Sequence, residues 1–161
     1  MAVNDDTNMI VGASIIIPLK KTAYLDFCEG SLDALKIKAS HIAGVSEKQD
    51  QRFLLVDMLC RHPQLSSAFS GIAFRSLIRH IALFYEPLKQ KPPVIFCSTE
   101  NKKLLSRLDA LEFERGAKEL NTEAYIYSTD LGKQQFKSPQ VRAYYTHLIE
   151  LCRFYNQENS I

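Results

Sequence analysis

The sequence predicts an α/β (α+β) fold, a mixed central sheet with helices on its flanks. Three observations predict it. FLLVDMLC (residues 53–60) and VIFCST (94–99) are continuous apolar runs of strand length, as expected of strands covered on both faces. Each is followed by a helical pattern, and strand-to-helix units in tandem build a sheet with flanking helices. The chain then closes on SPQVRAYYTHLIELCRFYNQ, which carries Ser138 as N-cap, Pro139 at the first helical position and an apolar stripe of Val141, Tyr145, Leu148 and Cys152.

The elements follow in order. Residues 1–19 hold two β-prone runs around the turn-rich NDDTN, the second being the Ile-rich MIVGASIIIPL, and read as a β-hairpin. Residues 20–29 read as a short helix with Thr22 as N-cap and Gly30 in the stop position. Residues 31–42 fit no single pattern, and AGVSEKQDQ is a polar loop. After the strand at 53–60, residues 71–85 place Ile72, Leu77, Ile78, Ile81 and Phe84 at helical spacing until Pro87 ends the helix. The strand at 94–99 leads into ENKKLLSRLDALEF, with Leu104, Leu105, Leu108 and Leu111 inward. AYIYSTDL (124–131) alternates as a strand. The expected order is β, β, α, β, α, β, α, β, α.

Composition bounds the function. A chain of 161 residues, 46% hydrophobic and 24% charged, fits one folded domain with a real core. Twenty Lys and Arg against eighteen Asp and Glu leave no positive excess of the kind a dedicated nucleic-acid binder carries. Cys28, Cys60, Cys97 and Cys152 are far apart, lack C-x-x-C spacing and sit in apolar runs, as reduced, buried thiols of a cytoplasmic protein would. His41, His80 and His147 have no histidine at i+3 or i+4, so no metal site is expected. His62 stands beside the loop at 61–73, where it reads either as plain surface or as a phosphate contact. Residues 9–19 are too few to span a bilayer, and the N-terminus lacks a signal-peptide pattern.

Chemistry concentrates in RHPQLSSAFSGIAFRSLIRH (61–80), a small-residue loop between an apolar strand and a helix. Ser is a preferred N-cap and Gly is tolerated at helix starts, so this stretch reads as a capped helix. It also reads as a phosphate cradle, because a helix N-terminus offers unpaired N–H groups at the exit of a buried strand. Asp57 is the only carboxylate in FLLVDMLC, and alternation puts it on a face with Phe53, Leu55 and Leu59, where burial would suit it to act as a general base. The alternative is an ordinary ion pair or backbone contact at the sheet surface.

These stretches resemble the GNAT superfamily of acyl-CoA-dependent N-acyltransferases. A-F-S-G-I-A (68–73) resembles its [QR]-x-x-G-x-[GA] pyrophosphate loop, with Gly71 and Ala73 on the signature and Ala68 in the Gln/Arg place. Asn101 and Phe113 keep the frame of the family's N-x-x-A-x-x-L-Y-x-x-x-G-F helix, while Leu104, Leu108 and Glu112 replace its small residue, Tyr and Gly. IVGASIIIPLKKTAYLDFCEGSL and ERGAKELNTEAYIYSTDL are similar to the middle and closing strand regions. The chain begins at what resembles the family's second strand, so the front of the fold is expected to be absent.

The resemblance implies a GNAT-like acyl-CoA-binding domain over 1–131, with 132–161 as a C-terminal helical extension. It implies acetyl-CoA or another acyl-CoA as cosubstrate, no metal, and an amine as acceptor. The pantetheine would lie between splayed strands at 53–60 and 93–98. Leu59 and Cys60 at the strand exit, then Ala68, Phe69, Ser70, Gly71, Ile72 and Ala73, with Asn101 on the later helix, would contact the cofactor. Asp57 would be the base. Leu108 fills the place of the family's acidic Tyr, which leaves Tyr125, Tyr127 or a water for that role. Lys102, Lys103 and Arg107 read either as contacts to the CoA 3′-phosphate or as a solvated helix face. Tyr144, Tyr145, Phe154 and Tyr155 read as core or homodimer contact. Two functions follow: an N-acetyltransferase, or a catalytically inactive binding or regulatory module of the same fold.

Overall fold

A computed structural model describes residues 2–4, 9–44, 46–47, 50–61, 81, 91–119, 121–133 and 135–158. Among the described residues six strands form one sheet: β1 (Ala2–Asn4), β2 (Met9–Leu19), β3 (Phe53–Arg61), β4 (Val94–Thr99), β5 (Glu114–Lys118) and β6 (Tyr125–Asp130). Their order is β1-β2-β3-β4-β6-β5. Of the ladders among the described residues, β3 and β4 pair in parallel and the other four are antiparallel. Helix α1 (Lys21–Cys28) links β2 toward β3, α2 (Lys102–Ala110) links β4 to β5, and α3 (Pro139–Glu158) closes the chain. The α+β class and the terminal helix are therefore as the sequence predicts.

Period-two alternation splits the central strands between two cores. On one face Phe53, Leu55, Val94, Phe96 and Ile126 pack with Leu19, Ala23 and Phe27 under α1. Tyr24 stacks on Phe53 with ring centroids 4.7 Å apart and meets Phe96 edge-on at 4.9 Å. On the other face Leu54 and Ile95 pack with Val141, Tyr145 and Leu148 of α3, and with Ile81 and Leu131. Ile81 is the only described residue of the predicted helix at 71–85, and it is helical and buried.

The β3 ladders set the geometry of the middle of the sheet. Against β4, pairing runs Phe53–Val94, Leu54–Ile95, Leu55–Phe96 and stops. Against β2 it continues to Arg61, but Ile15 faces Met58 while Ile16 faces Val56, so Asp57 is the extra residue of a β-bulge. A bulge bends its strand and increases the local twist. β3 thus stays with β2 and leaves β4 one residue before the bulge.

The termini of the helices are tied locally. Ser138 Oγ accepts from Val141 N–H at 3.4 Å, the expected cap. The Glu112 carboxylate also accepts from the Lys137 and Ser138 N–H groups, at 2.7 and 2.6 Å, a negative charge at the positive end of α3. Glu112 takes φ 56, a left-handed turn at the position where the resembling pattern has Gly. Tyr145 donates its hydroxyl to Leu111 O at 2.6 Å and so binds α3 to the end of α2.

Two expectations are corrected. Thr22 lies inside α1; the N-cap is Lys20, held extended at φ −62, ψ 149, with no side-chain cap. The element order also lacked β5. ERGAK is polar and almost wholly exposed, an edge strand that shows no apolar alternation to read.

Gly30 ends α1 at φ +76, and a Cβ there would lie 2.7 Å from the Lys118 backbone oxygen of β5. Gly30→Ala should therefore lower unfolding stability by about 1–3 kcal/mol, from the left-handed backbone plus the clash, with an earlier urea midpoint as the readout.

Candidate functional site

Where β3 and β4 part, a cavity of about 410 Å³ opens on the α1 face of the sheet. Its floor is Phe27 and Leu55; Val56 and Asp57 form one wall, Ser98, Thr99, Glu100 and Asn101 the other, and Asp33, Ala34, Leu35, Glu119, Thr122 and Ala124 close it. The lining mixes apolar and polar side chains, as small-molecule pockets do.

Glu119 is one of two buried carboxylates in the lining, only 7% exposed. It follows β5, where its backbone N–H bonds Ala124 O across the turn to β6 at 2.9 Å. Oε1 accepts from Ala34 N–H at 3.0 Å. Oε2 accepts from the Ser98 hydroxyl and, at 3.4 Å, from the Thr122 hydroxyl. One side chain thereby joins the turn at 34–36, the end of β4 and the β5–β6 hairpin. Asp33 is equally buried, at 6%, and its Oδ1 accepts from Leu35 N–H at 2.8 Å to cap the same turn. Sequence patterning does not single out Glu119, because its partners lie at positions 34, 98 and 122.

The predicted site residues fall as follows. Asp57 lines the cavity but is exposed, so its expected burial beside Phe53 and Leu55 is corrected. That expectation assumed an unbroken ladder, and the bulge at Asp57 interrupts the alternation. Asn101 is also in the lining. It precedes α2, where its Oδ1 accepts from Leu104 N–H at 3.3 Å and its own N–H bonds Thr99 Oγ1 at 3.1 Å. Leu59 and Cys60 lie in β3 beyond the point of separation, and their side chains are outside the described residues. Ala68, Phe69, Ser70, Gly71, Ile72 and Ala73, with His62 and His80, lie outside them altogether.

Leu108 is buried. Tyr127 pairs with Cys97 in register and is buried, while Ile126 between Tyr125 and Tyr127 belongs to the α1-side core; alternation therefore puts both tyrosines on the opposite face from Glu119. Tyr125 also lies under the Arg115 guanidinium, 3.6 Å from the ring centroid. Lys102 and Arg107 are exposed on α2. Among the described residues no group of His, Cys, Asp and Glu could hold a metal ion, and no helix is long and apolar enough to cross a membrane.

Beyond the cavity the titratable groups are shaped by burial. Cys28 and Cys97 are free thiols; burial raises both, Cys97 to about 11. Burial and then the neighbouring Cys28 push the Tyr24 phenol up to about 12.

None of the protein-family models matches the chain, and no curated protein does. One solved structure, described as the C-terminal condensation domain of Ebony in complex with beta-alanyl-dopamine, is similar at a TM-score of 0.45 and 11% identity, over 80% of this chain and 70% of that one. A likeness of this degree says nothing of what the chain binds or does.

The raised thiols and phenol carry a consequence for alkaline stability. Below the thiol's ordinary 9.0 both folded and unfolded states hold the proton and nothing is lost. As pH rises from there toward about 11, the unfolded chain releases its proton while the folded chain keeps it, so unfolding is favoured. The urea midpoint should fall steadily across that window, and Cys97→Ala should make the fall shallower.

Proposed function

We propose that the chain is a GNAT-like acyl-CoA-dependent N-acyltransferase that binds acetyl-CoA and transfers the acyl group to an amine. The observation that carries this reading is the separation of β3 from β4 at the Asp57 bulge, with a cavity between them. The β3–β4 ladder ends at Leu55–Phe96, so backbone groups on the facing edges beyond it are available to the two amides of a pantetheine arm. An arm laid there brings its thioester to the cavity. The stretch 68–73, which follows β3 in the sequence, would take the pyrophosphate, with Asn101 at the head of α2.

Attack by the amine nitrogen on the thioester carbonyl then occurs inside a ternary complex, where orientation supplies much of the acceleration. The cavity favours a basic acceptor: Asp33, Asp57, Glu100 and Glu119 line it, and among the described residues no Lys or Arg does. Asp57, exposed at the rim, meets the incoming ammonium first.

One observation favours a second reading, that of a binding module without turnover. Leu108 fills the place of the family's acidic Tyr and is buried, while Tyr125 and Tyr127 lie on the other face. Departure of the thiolate then depends on water.

Calorimetric titration of acetyl-CoA tests the common part of both readings. Wild type should bind, while Thr99→Trp, which fills the cleft, and Gly71→Asp, which sets a carboxylate against the pyrophosphate, should each weaken binding about tenfold or more, roughly 1.4 kcal/mol. No heat of binding to wild type would overturn the assignment; binding with no product across an amine panel would favour the module.

A further inference from the structure

We propose that Glu119, acting through the Ser98 hydroxyl, accepts the proton that the amine loses during transfer. This rests on the acyl-transfer reading and assigns its proton path. The arrangement is a buried carboxylate and a hydroxyl in contact inside the cavity where β3 and β4 part.

Three features carry it. First, every donor to Glu119 is neutral: the Ala34 N–H, the Ser98 hydroxyl and the Thr122 hydroxyl. Among the described residues no cation is bonded to the carboxylate, and it is oriented by neutral donors alone. Second, a serine hydroxyl has one hydrogen and two lone pairs. Ser98 gives its hydrogen to Glu119, which leaves its lone pairs to accept from a nitrogen in the cavity. Third, Asp57 on the β3 wall is exposed, whereas Glu119 is shielded from bulk water, as proton transfer within a closed complex requires.

The step balances as follows. The uncharged amine attacks the thioester carbon, forming the C–N bond and moving the carbonyl π pair onto oxygen. The nitrogen is now cationic and acidic. Its proton passes to Ser98 Oγ while the Ser98 proton passes to Glu119 Oε2. The adduct collapses, the C=O re-forms, and the C–S pair departs as thiolate. The thiolate is protonated by water and Glu119 releases its proton to water, so the net change moves one proton from nitrogen to sulfur. The other ionisable groups around the pair are Asp33 before the turn at 34–36, Asp57 in β3, Glu100 after β4, and Lys118 with Glu123, which bond each other at 2.8 Å.

The test uses an amine that wild type acetylates, with kcat, KM and the pH profile measured for Glu119→Gln and Ser98→Ala. Glu119→Gln should lower kcat about 100-fold and abolish the acid limb of the kcat profile, with KM for acetyl-CoA within about twofold. Ser98→Ala, which spares the buried carboxylate, should lower kcat by about tenfold or more without moving that limb, since a water can bridge the gap. If Glu119→Gln does not fold, as its thermal transition would show, the Ser98→Ala result decides. Wild-type kcat and an intact acid limb in the folded variants would overturn the relay and leave Glu119 as an anchor of the hairpin. If wild type acylates no amine, the transfer reading itself falls and the relay with it, a result visible before any variant is made.

Discussion

The middle of the molecule is governed by one constraint: β3 has two neighbours, and beyond Leu55 it follows only one of them. Its ladder with β2 runs from Phe53 to Arg61, whereas its ladder with β4 holds three pairs. Those three pairs are buried from both sides, Leu54 and Ile95 against α3, and Phe53, Leu55, Val94 and Phe96 against α1. With each such side chain contributing about 1.5–3 kcal/mol on burial, this junction cannot slip. The bulge at Asp57 then turns β3 aside. The sheet is in effect two antiparallel halves, β1-β2-β3 and β4-β6-β5, joined at a short parallel seam, and the cavity lies directly beyond it.

The second half holds its shape through side chains that reach between elements. Glu119 joins the turn at 34–36 to the end of β4 and the β5–β6 hairpin, so the outer strand β5, polar and at the edge, is anchored to the α1 side of the fold. Gly30 brings that side within close packing distance of the Lys118 backbone. On the opposite face Tyr145 and Glu112 lock the start of α3 and the end of α2 to one another. The Asn101 cap is thereby held at the rim of the cavity by both its own hydrogen bonds and the far end of its helix.

What the sequence discloses of this follows from how local each signal is. β3, β4 and α3 announce themselves because burial on one or both faces imposes an apolar run or a stripe on contiguous residues. The Ser138 cap is readable because its partner is three residues away. β5 is unreadable by pattern: an exposed edge strand needs no apolar residues, and its ERGAK was legible only through likeness to a closing strand pair. The bulge is hidden for a different reason. It is a relation between two ladders, so FLLVDMLC alone places Asp57 on the buried side, and only the pairing with Ile15 and Ile16 turns it outward. Glu119 is hidden most deeply, since two of its three donors, the Ala34 N–H and the Ser98 hydroxyl, come from distant parts of the chain and only Thr122 is local.

Two of the carboxylates that line the cavity show why this matters for chemistry. Asp57 and Glu119 line one cavity, yet their surroundings differ. Asp57 stands at a bulge in contact with solvent, where a charge is screened by water and its reach is set by ionic strength. Glu119 is enclosed and held by one amide and two hydroxyls, in a setting where a hydrogen bond is electrostatically stronger than in water and its direction is fixed before any ligand arrives. A solvated carboxylate is suited to drawing in a cation and releasing it; an enclosed, oriented one is suited to a single directed proton transfer. The bulge that carries Asp57 lies where β3 has left β4 and the cavity beside Ser98 opens. The contrast between the two acids is therefore a consequence of where β3 leaves β4.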